Sequence, residues 1–130
     1  VAGRLWHSDV SCDVEPPMGS ILRIVQVPSS GGDTLFASMY AAFDGLSDQM
    51  QRLVSGLTAI HEGEQYYRGT YGSGHLRDAV HPTAEHPVVR THPETGRKAL
   101  YVNDAHTTHF DGWSKEESQS LLDYLYQAPS

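Results

Sequence analysis

Trp6-His7-Ser8-Asp9-Val10-Ser11 sets a histidine and an aspartate two positions apart, inside a run that reads as a strand over residues 5–11. In extended backbone successive side chains point to opposite faces, so His7 and Asp9 project from the same side. An imidazole and a carboxylate aimed at one point supply two of the three ligands of a facial triad, which leaves coordination positions open for substrate and oxygen. Neutral nitrogen and hard oxygen donors suit Fe(II), and the lack of thiolates beside them argues against a structural zinc. The competing reading of the same triplet is a hydrogen-bonded surface pair, and only the surrounding sequence separates the two.

Outward from this stretch come Glu15-Pro16-Pro17, whose prolines lack a ladder donor and end the strand, and Pro28-Ser29-Ser30-Gly31-Gly32-Asp33-Thr34-Leu35-Phe36. Further on stand His86-Pro87-Val88-Val89-Arg90-Thr91-His92-Pro93 and Lys98-Ala99-Leu100-Tyr101-Val102-Asn103. Together, in this order, these blocks resemble the taurine dioxygenase family of iron(II)- and 2-oxoglutarate-dependent oxygenases. They cover most of the 130 residues.

The resemblance implies a mainly β fold with flanking helices (α+β), part of the double-stranded β-helix or jelly roll, with His7 and Asp9 as Fe(II) ligands. It also implies that Thr34 donates its hydroxyl to a carboxylate of the cosubstrate 2-oxoglutarate; without the family register Thr34 would read as a β-branched strand residue. Residues 62–82 become a lid or pocket loop, with Tyr66 and Tyr67 facing the substrate, and a mobile surface loop is the alternative. Family members carry a third iron ligand, a His, and then an Arg for the far carboxylate of 2-oxoglutarate. Neither has a counterpart before Ser130. The chain therefore reads as the central part, residues 1–130, of a single dioxygenase domain, incomplete at both ends, whose strands would lack distant partners.

Two departures bear on specificity. Where taurine-specific members have a pocket Phe this chain has His106, and where they have a substrate-binding Asn it has Gly3. Both point away from taurine itself. His106 could meet an anionic head group or accept a hydrogen bond; an exposed loop His is its rival.

The resemblance implies hydroxylation of a small organic acid, such as a sulfonate, sulfate ester or related carboxylate, with O2 consumed and succinate and CO2 released. The alternative is a catalytically incomplete module with a binding or structural role only. A third possibility has His106 or His109 completing the triad. Nine Lys and Arg against sixteen Asp and Glu give a formal charge of −7, which argues against nucleic-acid binding. The single Cys12 excludes an internal disulfide and, with no leader or membrane-length apolar run, fits a cytoplasmic protein. Homo-oligomers are common in the family.

The remaining elements follow from local pattern. Residues 20–27, nearly all apolar, read as a strand covered on both faces, and residues 28–32 as a turn. A short helix over residues 39–46 precedes a second, capped by Ser47 and closed by Gly56, with Met50, Leu53, Val54 and Leu57 on one face. Residues 58–61 read as an edge strand, and His61 as a satisfied structural residue outside the site. Residues 88–91 and 99–103 form a hairpin across a Pro- and Gly-containing turn. His81, His86 and His92 each precede proline, which favours loop positions or strand starts over metal binding. Ser114 and Glu117 form a capping box for a helix that packs through Leu121, Leu122 and Leu125.

Overall fold

The computed structural model describes residues 4–63 and 82–128. Its regular elements begin with two short helices, α1 (Met39–Asp44) and α2 (Asp48–Ser55). Each starts at a serine whose hydroxyl accepts from the backbone N–H three residues on: Ser38 from Ala41 and Ser47 from Met50, both at 3.2 Å. Gly45 and Gly56 close them, as expected for α2. The apolar face of α2 is narrower than the spacing predicts, since Val54 is buried and Met50 and Leu57 pack beside it while Leu53 is exposed.

Three strands form one antiparallel sheet in the order β2-β1-β5: β1 (Thr58–Glu62), β2 (Thr83–Pro87) and β5 (Thr107–Phe110). β1 is the central strand, not an edge, because partners 21 or more residues away in sequence pair with both of its sides. Local sequence carries no signal for that. Alternation aims Ala59 and His61 inward from β1, and Ala84 and His86 inward from β2. A register shift between Ile60 and His61 lets Thr107 of β5 stand opposite His61.

The second sheet is the expected hairpin, shorter than predicted: β3 (Val89–Thr91) against β4 (Lys98–Leu100), with Gly96 at φ 71 in the turn. His92 closes that turn by accepting at Nδ1 from the N–H groups of Glu94 and Thr95. The last helix, α3 (Lys115–Gln127), begins with the full capping box of Ser114 and Glu117. Its Leu122 and Leu125 enter a core that contains Phe43, Val54, Ala59, Val88, Leu100 and Phe110.

The expected strands over residues 5–11 and 20–27 do not form. Residues 4–8 run without regular structure into a turn at 9–12, and Ile21, Leu22, Ile24, Val25 and Val27 are all exposed. An apolar run becomes a strand only when a neighbouring edge accepts its hydrogen bonds, and among the described residues none lies beside it. The turn at 28–32 is present, with Gly31 and Gly32 at φ 77 and 76. The proposed lid, with Tyr66 and Tyr67, falls almost wholly outside the described residues, as do Gly3 and His81.

Candidate metal and cosubstrate site

His7 and Asp9 do meet, though a turn and not strand alternation brings them together. His7 Nε2 lies 3.4 Å from Asp9 Oδ1. The other polar atom of each side chain is already committed. His7 Nδ1 lies 2.8 Å from the carbonyl of Leu5, to which it donates, and Asp9 Oδ2 accepts from Ser20 Oγ at 2.6 Å. With Nδ1 carrying a hydrogen, neutral His7 presents a bare Nε2 lone pair to a carboxylate oxygen. Two electron-rich atoms at that separation call for a cation between them, either a proton on Nε2 or a metal ion. Adjacent ligands on an octahedral ion with bonds of roughly 2.1 Å stand about 3 Å apart, so the pair suits a metal after a small inward movement.

The turn after His7 holds Val10 at φ 52, in the left-handed region that a β-branched residue rarely adopts. Such a conformation persists only where its surroundings enforce it. Here the next two residues, Ser11 and Cys12, are fully buried, and Asp13 N donates back to Val10 O at 3.1 Å. Burial also raises the Cys12 thiol above its ordinary range, which keeps it protonated and inert. On the other side, Ala105 N donates to Trp6 O at 3.3 Å and ties the segment before His7 to the loop before β5.

A groove of about 150 Å³ opens beside His7. Trp6 and His7 form one wall, Leu35 and Phe36 another, and Leu125 and Tyr126 of α3 close one end. Thr34, exposed, directly precedes the Leu35 wall, so the structure brings its segment and His7 to one opening. His106 lies in the loop before β5 and is 2 % exposed, which rules out the exposed-loop reading. Burial lowers its pKa, and the charges of His7, Asp9 and Asp13 all reach it.

Among the described residues no group of three His, Cys, Asp or Glu gathers to hold a metal, so neither His106 nor His109 completes a triad there. His109 instead sits on β5 with Nδ1 2.9 Å from Thr108 Oγ1.

Four residues with no assigned role in the sequence reading lie beneath the turn: Ser11, His61, His86 and Asn103, all buried. His61 is not the fully satisfied residue expected, because its Nε2 is buried without a partner among the described residues. His86 lies within β2 and turns inward, so the proline after it does not confine it to a loop. The Ser11 position, two residues beyond Asp9, and the Asn that ends Tyr101-Val102-Asn103 were the available signals for this cluster.

Comparisons with known proteins address the family and the fold. The model of the taurine catabolism dioxygenase TauD, TfdA family matches residues 1–130, so the chain belongs to that family. An alpha-ketoglutarate-dependent sulfonate dioxygenase of Saccharomyces cerevisiae is 39 % identical over 121 residues, 93 % of this chain and 29 % of the relative. A Schizosaccharomyces pombe relative is 41 % identical over 124 residues, 95 % of this chain and 32 % of its own length. The chain thus spans about a third of these curated relatives. The crystal structure of a taurine dioxygenase from Burkholderia xenovorans superposes with a TM-score of 0.79 at 35 % identity, covering 95 % of this chain and 40 % of that one. The sheets and flanking helices are therefore part of the family's jelly roll. Among the described residues no helix is long and apolar enough to cross a membrane.

Proposed function

We propose that the intact protein, the full chain of which these 130 residues are the central part, is an Fe(II)- and 2-oxoglutarate-dependent dioxygenase that hydroxylates a small organic acid, a sulfonate, sulfate ester or related carboxylate, and releases succinate and CO2. The observation that carries this reading is the facing of His7 Nε2 and Asp9 Oδ1 at 3.4 Å, with the far atom of each side chain already engaged. Fe(II), when bound with 2-oxoglutarate and O2, supplies the oxidising chemistry, and the protein's task is binding and orientation.

His7 offers Nε2 to the metal, and its donation to Leu5 O holds both the tautomer and the ring plane. Asp9 offers Oδ1, while Ser20 keeps Oδ2 from competing for the same position. Thr34 donates its hydroxyl to a cosubstrate carboxylate, an acceptor-only group. His106, kept neutral by burial, presents a hydrogen-bonding ring and not a fixed positive charge to the substrate, with Tyr66 and Tyr67 contributing apolar area and hydroxyls. A cytoplasmic, homo-oligomeric enzyme is in keeping with this chemistry.

Replacing Asp9 with Ala in the full chain is expected to abolish iron-dependent succinate formation from 2-oxoglutarate. Turnover undiminished by Asp9→Ala would remove Asp9 from the ligand set. A wild-type protein that neither binds Fe(II) nor turns over would favour the module with a binding or structural role.

A further inference from the structure

Four polar side chains from separate parts of the chain converge beneath the turn that carries Asp9, and the proposed reaction uses none of them. Ser11 Oγ accepts from Asn103 Nδ2 at 2.9 Å and lies 3.0 Å from His61 Nδ1. His86 Nε2 lies 2.8 Å from the carbonyl of Ser11 and 2.9 Å from that of Asp13. Asn103 is itself fixed, since its Oδ1 accepts from His106 N and its own N–H donates to Thr107 Oγ1, each at 2.9 Å.

Chemistry sets the direction of the bonds at Asn103 and His86. An amide nitrogen only donates, so Ser11 Oγ receives the Asn103 hydrogen. Carbonyls only accept, so His86 Nε2 carries a hydrogen shared between two of them. Ser11 Oγ and His61 Nδ1, which also lies 3.4 Å from Thr107 Oγ1, pair in either imidazole tautomer. Burial, reinforced by His86 and His106, pushes the His61 pKa down to about 3, so the ring stays neutral across ordinary pH. The turn is gripped through the Ser11 side chain, the Ser11 carbonyl and the Asp13 carbonyl, on both sides of its bend. Val10, at φ 52, stands between Asp9 and these held groups.

We propose that Ser11, held between Asn103 and His61, is a positioning residue for the metal site, fixing the turn so that Asp9 Oδ1 faces His7 Nε2 before a cation arrives. The inference rests on the reading of His7 and Asp9 as metal ligands. Buried polar groups are retained at a cost when apolar ones would pack as well, and these four act within two to four residues of a ligand. His61 is a positioning residue in the same sense, acting through Ser11, and Asn103, which also lines the groove beside His7, holds Ser11 from the other side.

The test is an anaerobic Fe(II) titration of the full chain with 2-oxoglutarate present, following the visible band of the chelate, in wild type and four variants. Ser11→Ala is expected to weaken Fe(II) binding about tenfold, His61→Leu by no more than that, and the double variant by no more than Ser11→Ala alone, because the serine change already removes the bond to His61. His61→Asn sets an amide group, able to donate or to accept, near the position of Nδ1 and is expected to hold affinity within about threefold of wild type. In metal-free protein, the Asp13 amide is expected to exchange faster in Ser11→Ala than in wild type. Should His61→Leu fail to fold, Ser11→Ala, which removes a single oxygen, decides the matter alone. Equal Fe(II) affinity in wild type and Ser11→Ala, whatever the change in melting temperature, overturns the positioning role and leaves the ligand assignment standing. A wild type that binds no Fe(II) overturns the ligand assignment and the positioning role with it.

Discussion

At the scale of single residues, His61 ties site geometry to a pH dependence that stability measurements can read. Its folded pKa of about 3 lies below the 6.5 expected of the unfolded chain, chiefly through burial. Between those values the unfolded chain binds a proton that the folded one refuses, so acidification favours unfolding. The His61 contribution is complete above pH 6.5, declines by up to about 1.4 kcal/mol per pH unit toward pH 3, and changes no further below it. His106, whose charge reaches the same ring and whose pKa burial also lowers, adds to the wild-type curve. Denaturant midpoints for wild type and His61→Asn between pH 4 and 8 isolate the one residue. The wild type is expected to lose stability on acidification more steeply than the variant, and parallel curves would contradict the assignment.

At the scale of elements, hydroxyls near both ends of α3 join it to β5, Ser118 near its start and Tyr126, which donates to Thr107 O at 3.4 Å, near its end. Ser118 Oγ accepts from the buried Phe110 N at 3.0 Å and donates to Ser114 O at 2.8 Å, linking the start of α3 to the end of β5. Ser118→Ala leaves a buried backbone donor unpaired and is expected to cost about 1–3 kcal/mol in urea unfolding. Ser114→Ala removes the cap from Glu117 N and is expected to cost about 1 kcal/mol, with α3 fraying first in hydrogen exchange. A loss smaller for Ser118→Ala than for Ser114→Ala would show that a solvent molecule replaces the hydroxyl. The caps were legible because capping is local: Ser47 and Ser114 each answer to a donor three residues on. The centrality of β1 was not, because Thr83–Pro87 and Thr107–Phe110 come to it across long stretches of chain.

At the scale of the whole molecule, core and groove share residues, so packing and binding cannot be varied independently. Leu125 is fully buried in the core and also lines the groove beside His7. Leu125→Ala is expected to destabilise the protein by about 2–5 kcal/mol and, in the full chain at a temperature where it remains folded, to raise KM for the organic acid more than it lowers kcat. An unchanged KM would separate the groove from the substrate path. The sequence by itself determined the caps, the hairpin and the family, because each is written in short words whose residues act on near neighbours. His7 and Asp9 could be named from chemistry, yet the strand proposed to align them does not form: a turn with Val10 in the left-handed region does that work. Only the tertiary structure decided how the turn is held, since Ser11, His61, His86 and Asn103 are scattered over residues 11–103 and acquire a joint role when β1, β2 and the loop before β5 meet. It also decided that His106 is buried and that the apolar residues 20–27 are exposed. Burial is a property of what packs against a side chain, and periodicity reports a face without naming its neighbour.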